Sequence, residues 1–214
     1  MIKNTYALAG LGLTTVLLAS CSGDNVEEIQ TTVGEIDQIH ENIVTEINGL
    51  SQEEANLQEK FDESLSADEQ LATFSDGSAS VFENITARRD RIETINDLNE
   101  EFEEKEELIA AYDGESLSSE ELDGLNAQVD EFSSQLENFT TNYNTSLDAQ
   151  EAYFTSIGND DATYDTFSAG ITEINDQKAG LKDELVQLDQ SLVSVKEKIT
   201  QTQDMIQSAM AENE

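Results

Sequence analysis

The sequence predicts an all-α protein, an elongated antiparallel up-down helical bundle of coiled-coil character with about four long helices. Three observations predict it. Apolar residues recur at alternating three- and four-residue steps over long distances, the period of a helical seam. No proline interrupts the chain. The breaks between the periodic runs carry capping and turn residues. Low hydrophobicity with high net charge is by itself the mark of a disordered chain, but in such a chain the apolar residues would be scattered.

The first run is Val26, Ile29, Val33, Ile36, His40, Ile43, Ile47, Leu50, Glu54, Leu57 and Phe61, a single heptad frame in which only His40 and Glu54 are polar. Ser66 and Glu69 have the spacing of a capping box, so a second helix is expected to start there. Its seam is Leu71, Phe74, Val81, Ile85, Ile92, Ile95, Phe102 and Ile109, passing through Ser78, Arg88, Asn99 and Glu106. Gly77 weakens this helix and is expected to kink or delay it. Tyr112-Asp113-Gly114 reads as a stop, with Gly114 available for a left-handed terminal residue.

Ser118 and Glu121 offer another capping box for the third run, Leu122, Leu125, Val129, Phe132, Leu136, Phe139 and Tyr143, which then slips toward Leu147 and Phe154. Residues 158–161 read as a turn, with Asp160 or Asp161 as the cap of the helix that follows. The fourth run extends from Tyr164 and Phe167 through Ile171, Ile174, Leu181, Leu185, Leu188, Leu192, Val195 and Ile199 to Ile206, interrupted by Lys178 and Thr202. Rods of this kind are roughly 55–70 Å long, and short connections make consecutive helices antiparallel. Pairing the second and third helices across Gly114 sets Ile109 opposite Leu122, Phe102 opposite Val129 and Ile95 opposite Leu136. A bent pair of hairpins, or assembly with a second copy, would cover the same seams, but four seams suffice to cover one another.

Ahead of the bundle stands a different kind of segment. Lys3 supplies a positive n-region, Tyr6 to Leu18 a short apolar stretch, and Leu18-Ala19-Ser20-Cys21 the lipobox pattern of bacterial lipoproteins. Cys21 is the only cysteine, so an internal disulfide is impossible and lipidation accounts for it. The expected layout is a signal peptide over 1–20, a short lipidated tether over 21–25 and one helical bundle domain over 26–211. That places the protein at the extracellular face of the cell membrane, with the membrane as a partner through its lipid anchor.

The chain holds 10 basic and 47 acidic residues; without residues 1–20, which contain Lys3 and no acid, 9 basic residues face 47 acidic ones, a net charge of −38. Such a chain is repelled by nucleic acid and anionic headgroups, which excludes nucleic acid as a partner. The charge suits a salt-rich habitat, where screening weakens self-repulsion.

No constellation supports catalysis. There is one histidine, no nucleophile elbow and no phosphate loop. His40 sits in a seam, where a polar residue sets register, and Glu54, Asn99 and Lys178 read the same way. Arg88, Arg89 and Arg91 are the one basic cluster; Arg88 falls near Tyr143 and the others are expected to pair with acids. Asp160, Asp161 and Asp165 do not match a calcium loop. No cofactor and no metal site are expected. If Cys21 is anchored, up-down order places Leu65 to Gly77 together with Tyr153, Phe154, Tyr164 and Phe167 at the far tip. Tyr153, Phe154, Asn159, Asp160 and Tyr164 are the candidate interaction residues there, against the plainer reading of the aromatics as a plug closing the bundle end.

The lipobox Leu18-Ala19-Ser20-Cys21 is followed much later by Ser146-Leu147-Asp148-Ala149-Gln150-Glu151-Ala152-Tyr153-Phe154-Thr155-Ser156-Ile157, running into Asn159-Asp160-Asp161-Ala162-Thr163. A glutamate-bearing helix with paired aromatics and then an Asn-Asp turn resembles the third-to-fourth-helix junction of the YkyA-like cell-wall-binding lipoproteins of Gram-positive bacteria. The resemblance implies a wall-binding role and carries over no catalytic residue. The expected function is a lipid-anchored, non-enzymatic envelope protein, a rod or scaffold with a distal interaction tip whose partner is the cell wall or an envelope protein. The alternative is a helical binding or chaperone-like module that captures a secreted protein or peptide in an uncovered seam.

Overall fold

The computed structural model describes residues 25–68 and 70–212. Helix α1 spans Val26–Ala67, α2 is a single turn at Ala72–Ser75, α3 spans Ser80–Ala110, α4 Ser119–Ile157 and α5 Tyr164–Glu212; the described residues contain no strand. The four long helices go round a square in chain order, α1 against α3, α3 against α4, α4 against α5, and α5 back against α1. Each neighbour runs antiparallel to the next. Lys105 meets Glu35 at 2.8 Å near one end of the α1–α3 pair, and the Val81 amide donates to Ser64 Oγ at 3.3 Å near the other.

The heptad positions make the core. Val33, Ile36 and Ile43 of α1, Ile92, Ile95 and Phe102 of α3, and Leu125, Val129, Phe132 and Leu136 of α4 are all buried. Each such side chain contributes about 1.5–3 kcal/mol by leaving water. Between α3 and α4 the Phe102 ring lies edge-on to Phe132, with centroids 6.0 Å apart, one core position beyond the Val129 expected opposite it. Two polar interruptions of the seams meet each other: Lys178 of α5 pairs with Glu54 of α1 at 3.3 Å.

The ends of the helices depart from the sequence reading at four places. Ser66 starts no helix: its hydroxyl donates to the Asp62 carbonyl within the last turn of α1, and Glu69 lies outside the described residues. The next cap is Asp68, whose carboxylate accepts from the amides of Gln70 at 3.0 Å and Thr73 at 2.8 Å and so organises the turn into α2. These bonds hold its pKa below the ordinary carboxylate value. Gly77, at φ 79°, then separates α2 from α3, so the expected delay is a complete break. Gly114 is not left-handed; α3 closes through the Ala111 amide on the Glu107 carbonyl. Asp160 and Asp161 do not cap α5, because Thr163 does: its Oγ1 accepts from the Thr166 amide at 3.1 Å, and Thr166 Oγ1 accepts from the Thr163 amide at 3.2 Å. Ser118 does cap α4, accepting from the Glu121 amide at 3.4 Å.

Candidate functional site

The antiparallel order gathers the α1–α3 connection and the α4–α5 turn at one end. Phe61 of α1 is the hub of this tip. Its ring centroid lies 5.7 Å from Phe154, 6.0 Å from Phe74 and 6.3 Å from Phe167, so every helix reaching the tip except α3 supplies a ring. Phe74 is the reason α2 exists as a separate turn: it inserts a fully buried ring under the end of the bundle. Two glycines permit the close approach. A Cβ on Gly158 would overlap the Ser75 amide nitrogen and the Leu71 carbonyl, and one on Gly170 would overlap the Tyr153 ring. Leu71 itself takes the left-handed conformation, φ 58°, to turn the chain into α2.

The candidate interaction residues divide accordingly. Tyr153 and Phe154 are buried, their rings 5.2 Å apart, and the Tyr153 hydroxyl donates to the Phe167 carbonyl at 3.1 Å. Burial pushes the Tyr153 phenol up to about 12. These two belong to the plug. Tyr164, placed by periodicity in the α5 seam, is instead 81% exposed, and Asn159 and Asp160 are exposed on the same turn. Asn159 also closes a shallow facet of α4 made with Asp148, Glu151, Ala152, Thr155 and Ser156. The solvent-facing tip is therefore one free phenol beside amide, carboxylate and hydroxyl groups. Cys21 lies outside the described residues.

Away from the tip, the arginines go to three destinations. Arg88 is 1% exposed and donates from Nη2 to Gln150 Oε1 at 2.8 Å; Gln150 Nε2 donates in turn to Ser146 Oγ at 3.1 Å, which donates to Gln177 Oε1 at 3.1 Å. A polar layer thus ties α3, α4 and α5. Arg88 lies beside Tyr143 as expected, its charge countering the burial that pushes that phenol up to about 12. Arg89 pairs with Asp148 and Glu151, each at 2.9 Å, and Arg91 with Glu46 at 2.7 Å. His40 has a seam role: its ring Nε2–H donates to the Leu192 carbonyl at 3.0 Å, joining α1 to α5.

The α1–α5 seam is the part that sequence reasoning missed. It does not close. Along it runs a groove of about 560 Å³ with Val44 and Ile47 on one wall and Leu185, Val186, Leu192 and Val193 on the other. Val186 and Val193 are 51% and 55% exposed. Their seven-residue separation was the available signal, a second apolar row on α5 outside the main frame.

Among the described residues no helix is long and apolar enough to cross a membrane, and no three His, Cys, Asp or Glu side chains group as metal ligands. Fold and surface define an acidic all-α bundle whose exposed features are a polar tip and a lateral apolar groove. The chain belongs to the YkyA family, described as "putative cell-wall binding lipoprotein", whose pattern it matches over residues 24–205. No match was found among curated proteins or solved structures.

Proposed function

We propose that this protein is a lipid-anchored, non-enzymatic component of the cell envelope, held at the extracellular face of the membrane through Cys21, with its distal tip directed at the wall. The observation that carries this reading is the continuity of α1. It begins at Val26, five residues after Cys21, and runs unbroken to Ala67, a reach of about 63 Å at 1.5 Å per residue. The start of α1 and the aromatic tip therefore lie at opposite ends of the bundle. Membership of a lipoprotein family supports the anchor, and the family's description supports the wall as the partner. Two acyl chains on the cysteine suffice for stable attachment. At the tip, Tyr164 offers a ring for stacking on a sugar face, and Asn159 and Asp160 offer groups for its hydroxyls.

The test is retention of the protein on purified peptidoglycan, with and without teichoic acid, across salt and calcium. Retention on bare peptidoglycan is expected, weakened about tenfold by Tyr164→Ala with Asn159→Ala, since a central contact pair is worth on the order of 1–2 kcal/mol. Both residues are exposed, so the thermal melting of the variant stays unchanged. Retention that is insensitive to these substitutions sinks the tip, and no retention under any condition sinks the wall as partner. A second reading, a helical module that captures a secreted protein or peptide, is favoured by the open α1–α5 groove.

A further inference from the structure

We infer that the bundle holds a buried site for a small inorganic anion of chloride size, between Arg88 of α3 and Tyr143 of α4. The inference goes beyond the proposed function and does not rest on it. Arg88 is the largest fully buried side chain among the described residues. Its neighbours in sequence hold carboxylates, Arg89 those of Asp148 and Glu151, and Arg91 that of Glu46. Arg88 instead donates from Nη2 to the neutral amide of Gln150, and its Nε–H is buried without an acceptor. Beside it the Tyr143 hydroxyl, on a side chain 2% exposed, is also buried without a partner. An N–H and an O–H donor thus stand together in the interior with nothing to accept from them. Buried polar groups are ordinarily satisfied, and a buried cation carries a large desolvation penalty unless a counter-charge sits close to it. Water accepts from both donors but leaves the guanidinium charge uncompensated. An anion answers both demands.

The surroundings favour an anion as well. A cavity of about 190 Å³ among α1, α4 and α5 has Tyr143 in its wall, together with Ser51, Lys178 and Lys182. Lys178 follows Gln177, where the polar layer from Arg88 through Gln150 and Ser146 ends, so cavity and layer lie at one level of the bundle. Glu54 is the one carboxylate in the wall, and it pairs with Lys178 at 3.3 Å. With Arg88 beside Tyr143, three positive charges stand against one negative, a local excess in a chain of net charge −37. Such an excess raises the local concentration of a small anion. Donor geometry selects its shape. Gln150 competes for Nη2, the nitrogen shared by the two-pronged faces of a guanidinium, so Arg88 is poorly placed to grip a carboxylate or a phosphate. A spherical ion that accepts from Nε and the phenol suits the pair.

The full-length lipoprotein in detergent micelles is melted, followed by circular dichroism, in sodium chloride and in sodium gluconate at equal ionic strength, so that screening is the same in both. Gluconate is too large for the site. The wild type is expected to melt higher in chloride by roughly 2–4 °C, saturating with concentration, as a ligand that binds only the folded state dictates. Bulk salt effects act alike on wild type and variants, so the quantity read is the chloride preference that a variant loses. Tyr143→Phe, which keeps the ring, should lose much of it, and Arg88→Met all of it. If Arg88→Met fails to fold, Tyr143→Phe still decides. Crystals grown in sodium bromide should show an anomalous difference peak within hydrogen-bonding reach of Arg88 Nε and Tyr143 Oη. Absence of a chloride preference, or an undiminished preference in Tyr143→Phe, overturns the proposal. Density at the site without an anomalous signal overturns it in favour of bound water. Bromide confined to exposed lysines, an adventitious ion only, overturns it too. Because Tyr164 and Asn159 lie at the tip, failure here leaves peptidoglycan retention unchanged.

Discussion

His40 is bound at Nε2 to the Leu192 carbonyl, while its other ring nitrogen is buried without a partner. Burial is the main reason its pKa lies below the ordinary 6.5, and Lys196 pushes in the same direction; the Leu192 bond and the carboxylates of Asp37 and Glu41 oppose it. The folded state thus prefers the neutral ring. As pH falls through 6.5 the unfolded chain takes up the proton first, so this residue's contribution to stability is present at neutral pH and is lost as pH drops toward the folded value. Carboxylates titrate lower, and Glu106, raised by burial and by Asp130, acts in the opposite sense. The measurement is therefore a difference. Urea unfolding of the wild type and of His40→Leu, followed from neutral pH down through 6.5, should show a decline in the wild type that the variant lacks. Parallel curves would mean that the imidazole titrates alike in both states.

α5 is two helices in its energetics. From Tyr164 to Gly180 no residue is buried, and Phe167, Ile171 and Ile174 are only partly covered. From Leu181 onward Leu188, Leu192, Val195, Ile199, Thr202 and Ile206 are buried in regular succession. The two halves have the same hydrogen-bonding pattern but very different apolar burial, and local opening follows burial. Hydrogen exchange should accordingly be faster across Tyr164–Gly180 than across Leu181–Ile206, with the Tyr153–Phe167 hydrogen bond and the Phe61–Phe167 ring contact holding the segment near the tip. Uniform protection along the helix would show that the distal half is covered by something other than this chain.

The molecule as a whole carries −37 charges on 214 residues, and its ion pairs, such as Arg89–Asp148 and Lys60–Glu63, are mostly exposed and contribute little each. Repulsion among the unpaired carboxylates disfavours the compact state, and it is screened beyond about 8 Å at physiological ionic strength. The thermal midpoint should therefore rise as sodium chloride is increased from low to molar concentration. A midpoint that is flat or falls with salt would mean that attractive pairs, and not repulsion, dominate the surface.

Four long helices and most of their buried apolar positions were legible in the chain, because each helix must present one apolar stripe every three or four residues to its neighbours, while buried polar positions such as Asn126, Ser133 and Thr140 were not. Where the stripe weakens, legibility fails. Ser66 has the composition of a cap but sits inside the last turn of α1, since Phe61 and Ser64 keep that turn packed. Thr163, not Asp160 or Asp161, caps α5, a choice made by the conformation of the turn. Of the tip residues, periodicity grouped Tyr153, Phe154 and Tyr164, and only packing separated two buried rings from one exposed one.

The sequence by itself determined the fold class, the order of the helices and the lipoprotein family pattern, since these rest on local periodicity and short motifs. Tertiary structure alone decided that the tip closes on Phe61 and that a groove is left along the α1–α5 seam. Both depend on how far apart two helices settle once their other faces are satisfied, and no single stripe encodes that distance.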